Sequence, residues 1–173
     1  RVDALVDKQL DALIASTTDE AKRAELAALK GKAAIANAKL AYKAFQEIFS
    51  GPEWEALAAA GAKVQRPLWA STSVKNPSYP DTLYVDELIG PDTVNTMPRP
   101  TVIAFLDHGT VARTIDTGMQ EAAETMAALA AAGIDFQAVT DQLEEEGIAA
   151  FIKSFESLLS GVASKRAELA AAP

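Results

Sequence analysis

Only two short stretches of this 173-residue chain have the composition of β-strands, and they constrain its fold more than any other feature. Residues 64–70 and 93–97 each hold apolar, aromatic or β-branched residues and end in hydroxyl, amide or cationic side chains. Between them, apolar residues 83–89 predict a short helix that ends at Gly90. Strands joined through a helix pair in parallel, because a tight hairpin cannot make that connection. We therefore expect a parallel strand–helix–strand unit.

Helical periodicity dominates the remaining sequence. The predicted helices cover residues 2–14, 19–29, 32–50, 53–60, 101–107, 118–132 and 136–172, the last with a break near Gly147. Asp19 or Thr18 is the expected cap of the second helix. Two parallel strands make a poor sheet alone, so two interpretations remain open. The fold is a helical bundle with two extended pieces, or it is part of an α/β barrel whose other strands precede Arg1.

Composition excludes several classes of function. The chain has no Cys and one His, which argues against disulfides, thiolate metal sites and His-rich metal sites. The net charge of −8 argues against nucleic-acid binding, which relies on clustered Lys and Arg. No apolar run reaches the roughly 20 residues that span a bilayer, and no signal peptide is visible. We expect a cytoplasmic protein with no metal, nucleic-acid or membrane partner.

Three segments resemble bacterial transaldolase: residues 65–76, 80–88 and 93–98. Residues 32–42 are similar to the helix that precedes the seventh strand in that family, and residues 107–109 to the segment that follows the eighth. The resemblance extends over essentially all 173 residues and corresponds to the carboxyl-terminal half of a transaldolase. Residue 1 is Arg, and the helical pattern starts at once, so we expect a chain that begins inside a larger fold.

The resemblance implies an α/β fold, a partial (β/α)8 TIM barrel that is rich in helix. Residues 1–173 would form the carboxyl-terminal part of a single barrel domain, with its last two strands, and the amino-terminal strands would be absent. The implied activity is transfer of a dihydroxyacetone unit between sugar phosphates, in the pentose phosphate pathway, through a Schiff base on a lysine. The implied reaction uses no cofactor.

The family's catalytic groups are not expected in this chain. Its nucleophilic lysine lies on the fourth strand, and its catalytic Asp and Glu on the first and third, all of which would precede Arg1. None of the ten lysines here lies in an apolar strand, where burial lowers the pKa of an amine towards neutrality. We therefore expect no catalytic residue in this chain and no activity from the chain alone.

The resemblance assigns three residues to the substrate phosphate. Arg1 matches a family arginine just beyond the sixth strand, and a guanidinium fork suits a phosphate. Ser71 directly follows the first predicted strand and matches a phosphate-site serine. Lys75 stands where related enzymes carry a cationic contact. The alternatives are a solvated terminal arginine, a turn serine and a solvated loop lysine.

Asn95 and Thr96 lie in the second predicted strand, where one side chain would point into the barrel near the substrate and the other towards the helices. Polar side chains satisfied inside the barrel are the plainer interpretation. For Trp69 we expect a packing role. A triad of Ser71 with residues 107–108 is rejected, because no nucleophile elbow surrounds the serine. The acidic residues 144–146 are expected to be a solvated helix face.

Two other functions remain open. One is a non-catalytic helical fragment or interaction module that pairs through exposed strand edges, either with a missing amino-terminal half or with a second copy. The other is a different sugar-phosphate aldolase that shares the phosphate rim but not the donor. The Ala-rich helices carry no heptad repeat sustained over three or four repeats, so a coiled coil is not favoured.

Overall fold

The computed structural model describes residues 1–171. Within this range the chain forms eight helices and one small sheet, connected by loops. The elements are α1 (Val2–Ser16), α2 (Glu20–Ala28), α3 (Ala33–Ile48), α4 (Gly51–Ala59), β1 (Leu68–Trp69), α5 (Leu83–Asp86), β2 (Val94–Asn95), α6 (Arg99–His108), α7 (Met119–Ala131) and α8 (Phe136–Ala171). They form two compact units, one of residues 1–134 and one that begins at Asp135. No helix among residues 1–171 is long and apolar enough to cross a membrane.

The two predicted strands pair in parallel, as expected, but over a shorter length than the sequence indicated. Leu68 lies opposite Val94 and Trp69 opposite Asn95. Residues 64–66 are exposed and unpaired with β2, so the predicted strand 64–70 shortens at both ends. Pro67 contributes to the shortening, because it has no N–H to donate to β2. Its carbonyl still accepts the Val94 N–H.

Most helix boundaries fall within two residues of the predicted ones. Asp19 caps α2 as expected, since its carboxylate accepts the backbone N–H groups of Ala21 and Lys22. The predicted break near Gly147 is wrong, because α8 runs without interruption from Phe136 to Ala171. One glycine in a helix costs only about 1 kcal/mol relative to alanine, which strong helix formers on either side offset. The predicted end of this helix, at residue 172, lies outside the described residues.

Helix α3 is the centre of the first unit, where it contacts α1, α4 and α7. Ala36 on α3 and Ala122 on α7 are both buried, and such small side chains let two helices approach closely. A further apolar cluster joins α3 to the segments around the sheet. It contains Ala38, Tyr42, Leu88 and Ile115, with Ile35, Phe45, Trp69 and Met119 packed against it.

Asp7 on α1 is a buried carboxylate with two long-range partners. Its Oδ1 atom accepts the backbone N–H of Gly31 at 2.9 Å, and its Oδ2 atom accepts the hydroxyl of Tyr79 at 2.6 Å. Gly31 lies between α2 and α3, whereas Tyr79 lies in the segment after β1. Asp7 therefore ties three separate parts of the unit together.

Asp3 repeats this arrangement one helical turn earlier. It accepts the backbone N–H of Ala34 at 2.8 Å and the hydroxyl of Tyr84 at 2.5 Å. Burial raises the pKa of the Asp3 carboxyl, although both hydrogen bonds oppose that shift. Burial also raises the pKa of the Tyr84 phenol, and the neighbouring Asp3 raises it further, because a phenolate beside a carboxylate is unfavourable.

Gly31 is required both by its backbone and by its neighbour. Its φ of +72° is rarely adopted by other residues, and a Cβ atom there would lie 2.8 Å from the Tyr79 ring.

We predict that Gly31→Ala lowers the free energy of unfolding by about 2 kcal/mol or more, measured by urea denaturation.

Gly61→Ala is the matched control, because Gly61 has a φ of +97° but a Cβ atom added to it would meet no other atom within 4 Å. It should lose only the backbone share, about 1 kcal/mol. Equal losses in the two variants would show that the contact with Tyr79 contributes nothing.

Candidate functional site

The carboxyl ends of β1 and β2 lie side by side and are joined by hydrogen bonds beyond the last paired residues. The Thr96 N–H donates to the Trp69 carbonyl at 2.9 Å. The Ser71 N–H then donates to the Thr96 hydroxyl oxygen at 3.1 Å, and the Thr72 N–H donates to the Thr96 carbonyl at 3.3 Å. Both strand tips therefore end in one polar cluster, which we call the rim: residues 71–75 and 95–96.

Asn95 and Thr96 both contact the turn that follows β1. The hydroxyl of Thr72 donates to the Asn95 side-chain oxygen at 2.7 Å, and Thr72 itself is buried. Asn95 is half-buried, whereas Thr96 is exposed. Sequence reasoning did not single out Thr72, although its place directly after Ser71, in the same run of hydroxyl residues, was a signal that could have found it.

Ser71 has an unusual backbone conformation. Its φ of 54° lies in the left-handed region, which costs a residue other than glycine about 1 to 3 kcal/mol. The hydrogen bond from its N–H to Thr96 offsets part of that cost and fixes the turn. As a result the exposed Ser71 side chain is held at the end of the sheet.

One cationic side chain is anchored within the rim. The Lys75 ammonium donates to the Ser73 hydroxyl at 2.7 Å, which holds it beside the Ser71 turn. Arg1 is exposed and directly precedes α1.

Cations, hydroxyls and backbone N–H groups at the carboxyl ends of parallel strands can bind an anion. Ser71 and Thr96 are in direct contact, Asn95 reaches the same turn through Thr72, and Lys75 lies two residues beyond Ser73. The contacts do not connect Arg1 directly to Ser71. Among residues 1–171, no cluster of three or more His, Asp or Glu side chains could hold a metal ion.

Trp69 packs as expected, against the cluster that contains Tyr42, Leu88 and Ile115. Its indole N–H is buried and has no hydrogen-bond partner among residues 1–171. A buried donor without an acceptor costs about 1 to 3 kcal/mol. The strand end that leads into the rim thus packs on an apolar cluster, and the Trp69 indole N–H is the unsatisfied polar group there.

His108 does not form a triad with Ser71. Its ring nitrogens lie 2.8 Å from Asp81 and 3.0 Å from Asp107. Hydrogen bonds to these two carboxylates, first Asp81 and then Asp107, raise the pKa of His108. Both ring nitrogens thus face carboxylates, and Ser71 is not among the hydrogen-bond partners of His108.

Lys39 was overlooked in the sequence, and it is the most buried lysine among residues 1–171. Its Nζ atom donates to the Thr117 carbonyl at 3.1 Å and lies 3.6 Å from a Glu87 carboxylate oxygen. It lines a cavity of about 440 Å³ between α3, α7 and the segment around α5. None of the rim residues lines that cavity. The available signal was its position: Lys39 lies four residues after Ile35, so both side chains share the apolar face of an Ala-rich helix.

Comparison with known proteins gives one family. Residues 1–162 match the family described as Transaldolase/Fructose-6-phosphate aldolase. A transaldolase of Arthrobacter sp. (strain FB24) is 53% identical over 163 residues, which are 94% of this chain and 42% of that protein. Transaldolase 2 of Nostoc sp. (strain PCC 7120) is 48% identical over 168 residues, 95% of this chain and 44% of that protein.

A third relative, a transaldolase of Thermobifida fusca (strain YX), is 49% identical over 168 residues, which are 96% of this chain and 44% of that protein. The chain thus spans less than half the length of these curated relatives. The family implies a TIM-barrel fold, and a helix-rich chain with one pair of parallel strands agrees with part of such a barrel. The match over residues 1–162 establishes that this chain belongs to the transaldolase/fructose-6-phosphate aldolase family.

Proposed function

We propose that these residues serve a transaldolase, which transfers a dihydroxyacetone unit between sugar phosphates through a lysine Schiff base in the cytoplasmic pentose phosphate pathway. The observation that carries the proposal is the rim, where two parallel strand tips join in one cluster of hydroxyl, amide and cationic groups. The names of the relatives support the same activity, since proteins that are 53% and 48% identical to this chain are called transaldolase.

The chemistry requires three kinds of group. An amine nucleophile forms an iminium with the ketose, and the iminium accepts the electrons of the cleaved C–C bond without any cofactor. Carboxylates move the protons, and cationic groups hold the phosphate so that the sugar is oriented. In this proposal the rim supplies the third kind, the ligands of the phosphate.

In this proposal the chain contributes the last two strands of the barrel, the carboxyl-terminal half of the domain. Arg1, Ser71 and Lys75 bind the substrate phosphate, and Asn95 and Thr96 lie in the barrel interior near the sugar. The Ser71 turn, held in its strained conformation by Thr96, presents a hydroxyl to the anion. Lys75 provides charge without a guanidinium fork.

The nucleophilic lysine belongs upstream of Arg1, so the chain alone is inactive in this proposal. Lys39 is the buried lysine that could be mistaken for it, but its amine is held by the Thr117 carbonyl and the Glu87 carboxylate. It also lies on helix α3, away from the strand tips that would face the substrate.

Two alternatives differ in class. The first alternative is a different sugar-phosphate aldolase. It is supported by the family description, which also names fructose-6-phosphate aldolase. An assay of the longer protein with several ketose phosphates, with and without an aldehyde acceptor, separates the two reactions. A non-catalytic module that pairs through strand edges is less favoured, because each strand offers only two residues of edge.

We predict that incubation of the chain with fructose 6-phosphate and borohydride traps no covalent adduct, as measured by intact mass. An exposed or ion-paired lysine does not form a stable iminium in the amounts that a desolvated catalytic amine does. A stoichiometric adduct on any lysine, Lys39 included, would overturn the proposal that the nucleophile lies outside this chain.

We also predict that Lys75→Ala weakens the binding of inorganic phosphate to the chain, measured by titration calorimetry, by about threefold to tenfold, because an exposed cationic ligand contributes modestly. Lys63→Ala is the matched control, since it removes the same charge from an exposed loop on the amino-terminal side of β1. Equal weakening by the two changes would assign the effect to net charge and remove the rim from the proposal.

A further inference from the structure

The cavity of about 440 Å³ beside Lys39, which we call the Lys39 cavity, combines an apolar lining with charged groups. Apolar side chains from three helices line it, among them Ile35, Ala36, Leu83 and Ala122. Three lysines and two glutamates are the charged residues of its lining. Its volume lies within the range of about 300 to 1,000 Å³ that is usual for small-molecule sites. The cavity therefore has the size and the mixed lining of a ligand site.

Lys39 is the most deeply buried charged group of this lining, with 8% of its surface exposed. Its ammonium carries three N–H donors, and the Thr117 carbonyl accepts one of them at 3.1 Å. The Glu87 carboxylate lies 3.6 Å away, which is longer than a hydrogen bond to a charged group. A buried charge with incomplete hydrogen bonding is costly, so further acceptors from a ligand would stabilise it.

The amino end of α7 lies beside the same ammonium. Thr117, whose carbonyl binds Lys39, directly precedes Gly118, and Gly118 is the N-cap of α7 and lines the cavity. Because glycine has no side chain, no N-cap side chain accepts the first N–H groups of the helix. The aligned peptide dipoles also leave partial positive charge at this end. A buried ammonium and a helix amino end, which both attract negative charge, therefore meet in the Lys39 cavity.

The two glutamates of the lining are held loosely. The Glu87 side chain is 43% exposed, and that of Glu121 is 73% exposed and lies 3.8 Å from the Lys32 ammonium. Solvated ion pairs at such distances contribute little, so both pairs can separate when a ligand enters. A cation in the cavity would meet only these solvated carboxylates, whereas an anion would meet the buried Lys39. The charge arrangement therefore favours an anion.

We propose that the Lys39 cavity binds a small organic carboxylate, with the carboxylate on Lys39 and the amino end of α7 and the apolar body against Ile35 and Leu83. The carboxylate of Glu87 already lies nearest to Lys39 among the acidic groups of the lining, and a ligand carboxylate would take that place. The site includes no rim residue and does not depend on the proposed activity. Its tests therefore need only the whole chain and no sugar phosphate.

Titration calorimetry of the whole chain with benzoate tests the site, because benzoate joins a carboxylate to an apolar ring. Acetate and benzamide are the matched probes, since acetate lacks the ring and benzamide lacks the charge. Benzoate should bind with a dissociation constant below about 1 mM. Each of the other two should bind at least about tenfold more weakly, because each loses one of the two interactions.

Three variants locate the binding. Lys39→Met removes the ammonium but keeps a long side chain, and it should weaken benzoate binding at least about tenfold. Lys43→Met is the matched control, since it removes the same charge from an exposed position of α3 outside the cavity, and it should change nothing. Glu87→Gln should strengthen benzoate binding by about twofold to fivefold, because it removes the carboxylate that competes for Lys39.

Circular dichroism checks that each variant keeps its helix content. Should Lys39→Met fail to fold, Glu87→Gln decides alone, because it leaves the ammonium in place. Four results would each overturn the proposal: no binding of benzoate up to about 10 mM, equal binding of benzoate and benzamide, equal affinities in Lys39→Met and Lys43→Met, or weaker binding in Glu87→Gln. Equal binding of benzoate and benzamide would assign the heat to apolar surface anywhere on the chain.

Discussion

Two carboxylates one turn apart on α1 hold together the segments from which the first unit is built. Asp3 accepts a backbone N–H in the first turn of α3, Asp7 accepts one from the turn before it, and each also accepts a phenol from the region between β1 and β2. A buried carboxylate without such partners would cost several kcal/mol, so the chain can bury α1 only if those segments are in place. The position of the rim follows from this requirement.

The sheet alone could not fix the position of the rim, because only two residues of each strand are paired. The loop of residues 71–79 is instead fastened at both ends. Ser71 and Thr72 are bonded to Thr96 at its start, and Tyr79 is bonded to Asp7 at its end. Lys75 lies between these attachments, so its loop is constrained even though its side chain is exposed. The same carboxylates that stabilise the packing therefore position the proposed phosphate ligands.

Local signals in the sequence predicted the features that local chemistry decides. The cap at Asp19, the ends of the helices predicted to stop at residues 50 and 132, and the parallel pairing all followed from residue type and spacing, and the structure confirms them to within two residues. The partners of Asp3 and Asp7 could not be predicted in this way, because 72 to 81 residues separate each carboxylate from its tyrosine. The break at Gly147 was wrong for a related reason, since a local helix breaker was outweighed by its neighbours. The roles of the rim residues rest on the family resemblance and stay predictions.

The coupling between Asp7 and Tyr79 tests most directly whether α1 holds the loop that carries Lys75. A double-mutant cycle of Asp7→Asn, Tyr79→Phe and the double variant, with unfolding free energies from urea denaturation, isolates their interaction. We expect a coupling of about 1 to 3 kcal/mol, as is usual for a buried hydrogen bond to a charged group. Single effects that add to within about 0.5 kcal/mol would contradict this, because the loop would then be held by something other than α1.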